Sequence, residues 1–412
     1  MPFRSIQTRL ALYLATMVIL HVVVLWQEWP LIPTGFPDFG IFYTAGTILR
    51  QGRGAELYND ELQQTVHSSF APAVGPRGSI VPFVHPPFEA VFFRPIAAFS
   101  YLTAYFLWSG INLGMLVIVA LVLRKHLPRL GVLPVWLWLL AGIGFFPIFV
   151  ALLQGQDSIL VLLCYCLAFV ALRRDSEFEA GSWLGLGLCK FHLVLPFLFA
   201  PLVQKRMKLI AGFLLVGAAL TLVGVAAVGW HGLASYPGYV WRAEHTSQYK
   251  WNLTHRINPN VRALVLDVWP PGSKAARVAI LAISIVVIGV AAYIWRLAWS
   301  AGSKARQLAF ALNLVATLLL GYHTFVHDLS LLFLPILCAA DALLTTALLR
   351  PWQKLALWAS VAILSFSPVY LVLLLRFSQL QLITLVLLLF FLVLASATLS
   401  LATTPRLASV DR

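Results

Sequence analysis

The sequence predicts an all-α polytopic membrane protein, a bundle of about twelve transmembrane helices. Three observations carry this expectation. Of 412 residues, 60% are hydrophobic and 11% charged, against about 25% charged in a soluble domain. Mean hydropathy is +0.87. The apolar residues fall in runs near membrane length, separated by short charged turns. This composition excludes a soluble enzyme, a disordered chain and a coiled coil. The formal charge of +14 fits cytoplasmic loops facing anionic lipid better than a nucleic-acid partner. The four cysteines, Cys164, Cys166, Cys189 and Cys338, all lie in apolar stretches. They read as small buried hydrophobes, not as a disulfide or zinc framework.

The elements follow in order. The first apolar run, 9–27, follows Arg4 and Arg9 and lacks a small-residue cleavage site, so it reads as a retained helix. Further candidate spans are 101–123, 132–153, 157–172, 180–191, 193–204, 208–228, 276–298, 307–322, 328–349, 353–372 and 378–401. The 180–204 region is expected to break near Lys190 and Pro196. With the N-terminus inside, Arg124, Lys125, Arg173, Arg174, Lys205, Arg206, Lys304, Arg306, Arg350 and Lys354 all fall on the inner face. An even number of spans returns both termini to the cytoplasm. The whole chain, 1–412, then forms one integral membrane domain in the cytoplasmic (inner) membrane.

Most acids and histidines fall on the opposite, outer side. Two outer loops stand out there, 28–100 and 229–274. The first is too long for a simple connection. Its stretch His85-Pro86-Pro87-Phe88-Glu89 opens a short interfacial or re-entrant helix, with proline at the start. The second is rich in aromatic and basic residues. It includes Arg256, Arg262 and an Asn252-Leu253-Thr254 sequon.

Asp38 is the sharpest chemical candidate, between Pro37 and an apolar run. It reads as a helix N-cap, as a general base, or as both. Tyr43, Glu56 and Tyr58 follow in the same loop, with Gly52 and Gly54 placed to end a helix. His85 reads as a site residue or a helix-entry residue. Gln154-Gly155-Gln156-Asp157 is a polar turn whose amides suit sugar hydroxyls and whose aspartate suits a substrate or a helix cap. Lys190 and His192 interrupt an apolar stretch. A lysine there suits a phosphate, a snorkelling role or a structural ion pair. The turn Tyr322-His323-Thr324-Phe325-Val326-His327-Asp328 closes the set. No nucleotide-binding motif is visible, and no ligand cluster demands a metal.

Five stretches together form a recognisable pattern: PDFGIFYTAGTILRQGRGAELYN, HPPFEAVFFRPIAAFSYLTAYFLWSGIN, LLQGQDSILVLLC, AGSWLGLGLCKFHLVLPFLFAPLV and YHTFVHDLSLLFLP. In order and spacing the chain resembles glycosyltransferase family 87, of the GT-C superfamily, over about residues 10–340. The resemblance implies an inverting transfer of a hexose, expected to be mannose. The donor would be a polyprenyl-phosphate sugar and the acceptor a glycolipid, glycan or protein, on the extracytoplasmic face, without nucleotide or cofactor. It carries the family's first-loop aspartate onto Asp38, as base, and its late polar turn onto His327 and Asp328. Lys190, His327, Arg256 and Arg262 are candidates for stabilising the leaving phosphate. Tyr43, Glu56, Tyr58, His85, Gln154, Gln156, Asp157, His323 and Asp328 are candidates for lining the substrate site. The chain departs from the pattern at Lys190-Phe191, where relatives commonly read Lys-Pro. The rival readings are a transporter or lipid-linked-sugar flippase, which does not explain the acidic, aromatic first loop, and a glycan ligase, whose large loop usually comes late.

Overall fold

The computed structural model describes residues 2–35, 37–71, 81–245, 255–345 and 348–403. The sequon at 252–254 and part of the second outer loop lie outside the described residues. Among the described residues every regular element is helical.

Helix α1 (Pro2–Glu28) is the first apolar run. The first long loop then folds into three short helices: α2 (Phe39–Arg50), α3 (Asp60–Phe70) and α4 (Pro87–Phe93). Gly52, with φ +72°, stands just past α2, where a side chain would be strained. Pro87 occupies the first turn of α4, where its missing N–H costs nothing. Helix α5 (Tyr101–His126) follows, then the bent pair α6 (Val135–Ile143) and α7 (Phe146–Gln154). Next come α8 (Ser158–Arg173), α9 (Glu177–Leu186), α10 (Phe191–Val203) and α11 (Met207–His245). Gly229, at φ +73° and ψ 172°, breaks α11. The apolar run therefore ends at Val228, and the second outer loop begins with a separate helix. The chain closes with α12 (Val261–Val268), α13 (Lys274–Ala301), α14 (Ser303–Leu320), α15 (Phe333–Thr345), α16 (Pro351–Ser365), α17 (Ser367–Leu371) and α18 (Ile383–Thr403).

Among the described residues, seven helical stretches are long and apolar enough to cross a membrane, or nine if each of two bent pairs counts. That is fewer than the expected twelve, because several apolar runs fold as short helices. Glu177–Val203 is a single candidate span by length, yet its ends meet. Arg206 Nη1 lies 2.8 Å from Glu177 Oε1. The glycines of α9 also press on α11 in parallel register, Gly181 against the Leu209 carbonyl and Gly185 against Val216. The chain therefore reverses between α9 and α10. A 3-10 turn, Gly187–Lys190, forms the apex of the hairpin. The expected break at Lys190 is present, whereas Pro196 stays inside α10.

Basic groups gather at the base of this hairpin. Arg306 pairs with Asp175 at 2.8 Å, and Arg173 donates to Gln307 at 3.0 Å. The polar candidates gather at the other end, around the apex. All four cysteines are buried and unbridged.

Candidate active site

Gly155 ends α7 in the left-handed region, at φ +62°. A Cβ there would stand 2.7 Å from the Cβ of Phe39, so glycine lets this turn press against the start of α2. Two donors hold the turn in place. Tyr105 gives its hydroxyl to the Leu153 carbonyl at 2.8 Å, and Trp108 gives its indole N–H to the Gly155 carbonyl at 2.9 Å. The result is a direct junction with Asp38. Gln154 Oε1 accepts the Asp38 backbone N–H at 3.1 Å, and Gln156 donates from Nε2 to Asp38 Oδ2 at 2.7 Å. The Asp38 side chain makes no capping hydrogen bond to α2. Its carboxylate turns to Gln156 instead, which corrects the N-cap reading. Asp157 makes no side-chain capping bond to α8 either.

Lys190, at the hairpin apex, is buried to 3% exposure. Its ammonium lies 2.8 Å from Asp328 Oδ1, 3.2 Å from Asp157 Oδ1 and 3.2 Å from Gln156 Oε1. The contacts to Asp328 and Gln156 are hydrogen bonds, and that to Asp157 is an ion pair. Of the roles open to this lysine in the sequence, the structure shows the ion pair. Asp328 also accepts from the Ser158 hydroxyl at 3.2 Å and from the Phe325 backbone N–H at 2.9 Å. It thereby shapes the late polar turn. His327 Nε2 stands 3.5 Å from Asp328 Oδ1. Burial holds the His327 imidazole below its ordinary range, against the pull of Asp328.

Behind this wall lies a second polar cluster. His85 Nδ1 is 2.9 Å from Glu89 Oε2, one turn along α4. Burial pushes the Glu89 carboxyl up to about 8, with Asp157 adding to the rise and His85 opposing it. Burial would lower His85, but the Glu89 carboxylate outweighs it and raises the imidazole. Asp157 is pulled below its usual range, because the attraction of Lys190 and His85 exceeds its burial.

A cavity of about 1040 Å³ opens beside these groups. Asp38, His85, Gln154, Gln156, Lys190, His192, His323, His327 and Asp328 line its polar side. Ile41, Val150, Phe191, Val240, Trp241, Ile257, Val326, Leu374 and Leu380 make most of the rest apolar. Asp157 does not line the cavity; it sits behind, on Lys190.

Other expected site residues point elsewhere. Tyr43 gives its hydroxyl to the Phe99 carbonyl at 2.8 Å, which fastens α2 to the start of α5. Glu56 forms a surface pair with Arg53 at 2.6 Å. Tyr58 is buried behind the wall and supports His85 by donating to its carbonyl at 2.9 Å. Arg256 pairs with Asp267 at 3.1 Å. Arg262 stacks 4.4 Å over the ring of Tyr322, one layer outside the cavity. Glu89 and Ser158 are members of the network that the sequence reading did not single out. The His85-to-Glu89 spacing of one helical turn was the available signal for Glu89; Ser158 had none beyond following Asp157.

The two outer loops pack together here. Tyr239 donates to Asp60 at 2.6 Å, and Tyr236 donates to the Val84 carbonyl at 3.2 Å. Such an arrangement offers two carboxylates, Asp38 and the Lys190-paired Asp328, with amide groups for hydroxyls, buried positive charge and a long apolar wall. The family model described as glycosyltransferase family 87 matches residues 83–335, well over half of the chain. The chain belongs to glycosyltransferase family 87. It is therefore a glycosyltransferase that takes a sugar donor and an acceptor. The match spans the His85 stretch, the Gln154–Asp157 turn, Lys190 and the Tyr322–Asp328 turn. Asp38 stands N-terminal to it. No curated protein and no solved structure matches the chain.

Proposed function

We propose that this family 87 glycosyltransferase moves mannose from a polyprenyl-phosphate donor to a lipid, glycan or protein acceptor by inversion. The supporting observation is the wall on which Gln156 joins the Asp38 carboxylate to the Lys190 ammonium, facing a largely apolar cavity. The isoprenoid chain would lie along Leu374, Leu380 and Val326, and the sugar would meet the amides of Gln154 and Gln156. The acceptor hydroxyl attacks the anomeric carbon on the face opposite the phosphate. Asp38 takes the hydroxyl proton. The bond from the anomeric carbon to the phosphate oxygen breaks, and its electron pair leaves with the lipid phosphate. His323 and His327 donate to that phosphate, while Lys190 acts through its field because its own protons are engaged. Arg256 and Arg262 add charge from further out. General-base help is worth ~10²–10⁴-fold, and fixed charges near the leaving group often more. No step calls for a metal or a cofactor.

The chemistry would take place on the extracytoplasmic face of the cytoplasmic membrane. Basic groups cluster at the opposite end of the bundle, where the positive-inside rule places the cytoplasm. If α9 and α10 each count as a crossing, and α8 and α14 are added to the candidate spans and bent pairs, the total is twelve and both termini return to the cytoplasm.

The test is direct. Purified protein is incubated with labelled polyprenyl-phosphate mannose, the glucose analogue or a nucleotide sugar, and with a panel of acceptors. Product formed from the mannolipid alone supports the proposal. Product from the nucleotide sugar alone, or donor translocated with its phosphate bond intact, overturns it.

A further inference from the structure

The cluster behind the cavity wall carries more charge than its protein partners satisfy. Glu89 and Asp157 are each 1% exposed. None of their four carboxylate oxygens has a hydrogen-bond partner among the described residues. Lys190 donates hydrogen bonds to Asp328 and Gln156 and meets Asp157 Oδ1 only as an ion pair. His85 stands beside Glu89 Oε2 alone. Glu89 and Asp157 therefore face each other, and a shared proton or a bound cation is what can join them. Three buried carboxyl groups, Glu89, Asp157 and Asp328, gather around one lysine and one histidine. Ionising all three is costly in a low-dielectric interior unless a proton or a cation joins them.

The ligand atoms of His85, Glu89 and Asp157 all lie within 4.8 Å of one another. A cation bound at ~2.1 Å spans donors up to ~4.2 Å apart, so closure needs shifts of a few tenths of an ångström. One imidazole nitrogen and two carboxylates form a mixed, oxygen-rich donor set, suited to a divalent ion of the Mn²⁺ type. We propose that His85, Glu89 and Asp157 bind one divalent cation behind the wall of the active-site cavity. Its two positive charges balance the carboxylates left over by Lys190. Neither Glu89 nor Asp157 lines the cavity, so the cation acts by position. It ties α4 to the turn that carries Gln156, and so steadies the amide that holds Asp38.

The inference does not rest on the choice of donor or acceptor. Full-length protein in nanodiscs is stripped with EDTA and titrated with Mn²⁺, followed by electron paramagnetic resonance and thermal unfolding. The expected result is one saturable Mn²⁺ per chain and a Tm rise of ~2 °C or more at saturation. Glu89→Gln should weaken binding by at least ~10-fold. If that variant does not fold, His85→Asn provides the same comparison. Absence of saturable binding to the wild-type protein overturns the proposal and leaves a proton shared by Glu89 and Asp157. Binding that both variants retain overturns it as well, because the ion then sits elsewhere.

Discussion

Gln156 holds Asp38 from one side and Lys190 from the other. Its amide nitrogen donates to the Asp38 carboxylate at 2.7 Å, and its amide oxygen accepts from the Lys190 ammonium at 3.2 Å. One planar group thus relays position between the candidate base and the buried ion network. A carboxylate positioned by a neutral amide donor can still accept from a substrate hydroxyl. The arrangement fixes Asp38 without neutralising it.

Asp38→Asn is expected to abolish transfer, by at least ~100-fold in turnover, with expression and Tm close to wild type. The side chain is half-buried and caps no helix, so its charge is not needed for folding. Single-turnover assays with a labelled donor measure this. Activity above a tenth of wild type would assign the proton to another group. Glu56 is not a substitute base, since it sits at the surface paired with Arg53.

Lys190→Met is expected to unfold the site rather than merely weaken donor binding. Removing the ammonium leaves Asp157 and Asp328 buried without their cation. Breaking a buried pair this way costs about 3–5 kcal/mol. Lys190→Met combined with Asp328→Asn should recover part of the loss, because one uncompensated charge goes. Thermal unfolding of the single and double variants decides it. A single variant as stable as wild type, with a raised Michaelis constant for donor, would return Lys190 to direct phosphate binding.

Hydropathy made the bundle legible because span length is a local property of the chain. The hairpin at 177–203 was partly legible through Lys190, a charge with no local reason to be there. Its partners were not legible. Asp328 lies 138 positions away in sequence, and only the packing of α8 against the late polar turn brings it near. Asp38 stood out as a candidate base, but its partner Gln156 comes from 118 positions away. The partners of Arg256 and Arg262 were not legible either. Their charge suited a phosphate, yet Asp267 and Tyr322 are closer partners for them.

The two outer loops should be accessible from the same side. Gln64→Cys and Val268→Cys place thiols at exposed positions. Gln63, the more obvious choice from sequence, is buried and donates to the Leu57 carbonyl at 2.7 Å, so a thiol there would be shielded. An impermeant maleimide applied to intact cells should label both cysteines and spare Lys205→Cys at the opposite end. Labelling of one loop cysteine but not the other breaks the shared-face arrangement, and with it the extracytoplasmic site.

The last expectation concerns acid. His67 lies beneath the start of α2, where its imidazole would touch a Cβ added at Gly40 at 3.0 Å and where Thr44 Oγ1 is 3.4 Å away. Burial pushes this imidazole down to about 4, from an ordinary value near 6.5. The folded protein therefore resists a proton that the unfolded chain accepts. Between those two values the unfolded state binds more protons, so stability falls as pH falls. The contribution is intact above pH ~6.5 and lost progressively toward pH ~4. Taking the protein from pH 7 to pH 5 should lower its Tm. In His67→Gln, which keeps a polar side chain without the titration, the drop should be smaller. Comparing the two slopes removes the effect of the other histidines, which both proteins share. Equal slopes would mean that His67 is protonated without cost, and that the α2–α3 junction under Asp38 is open to water.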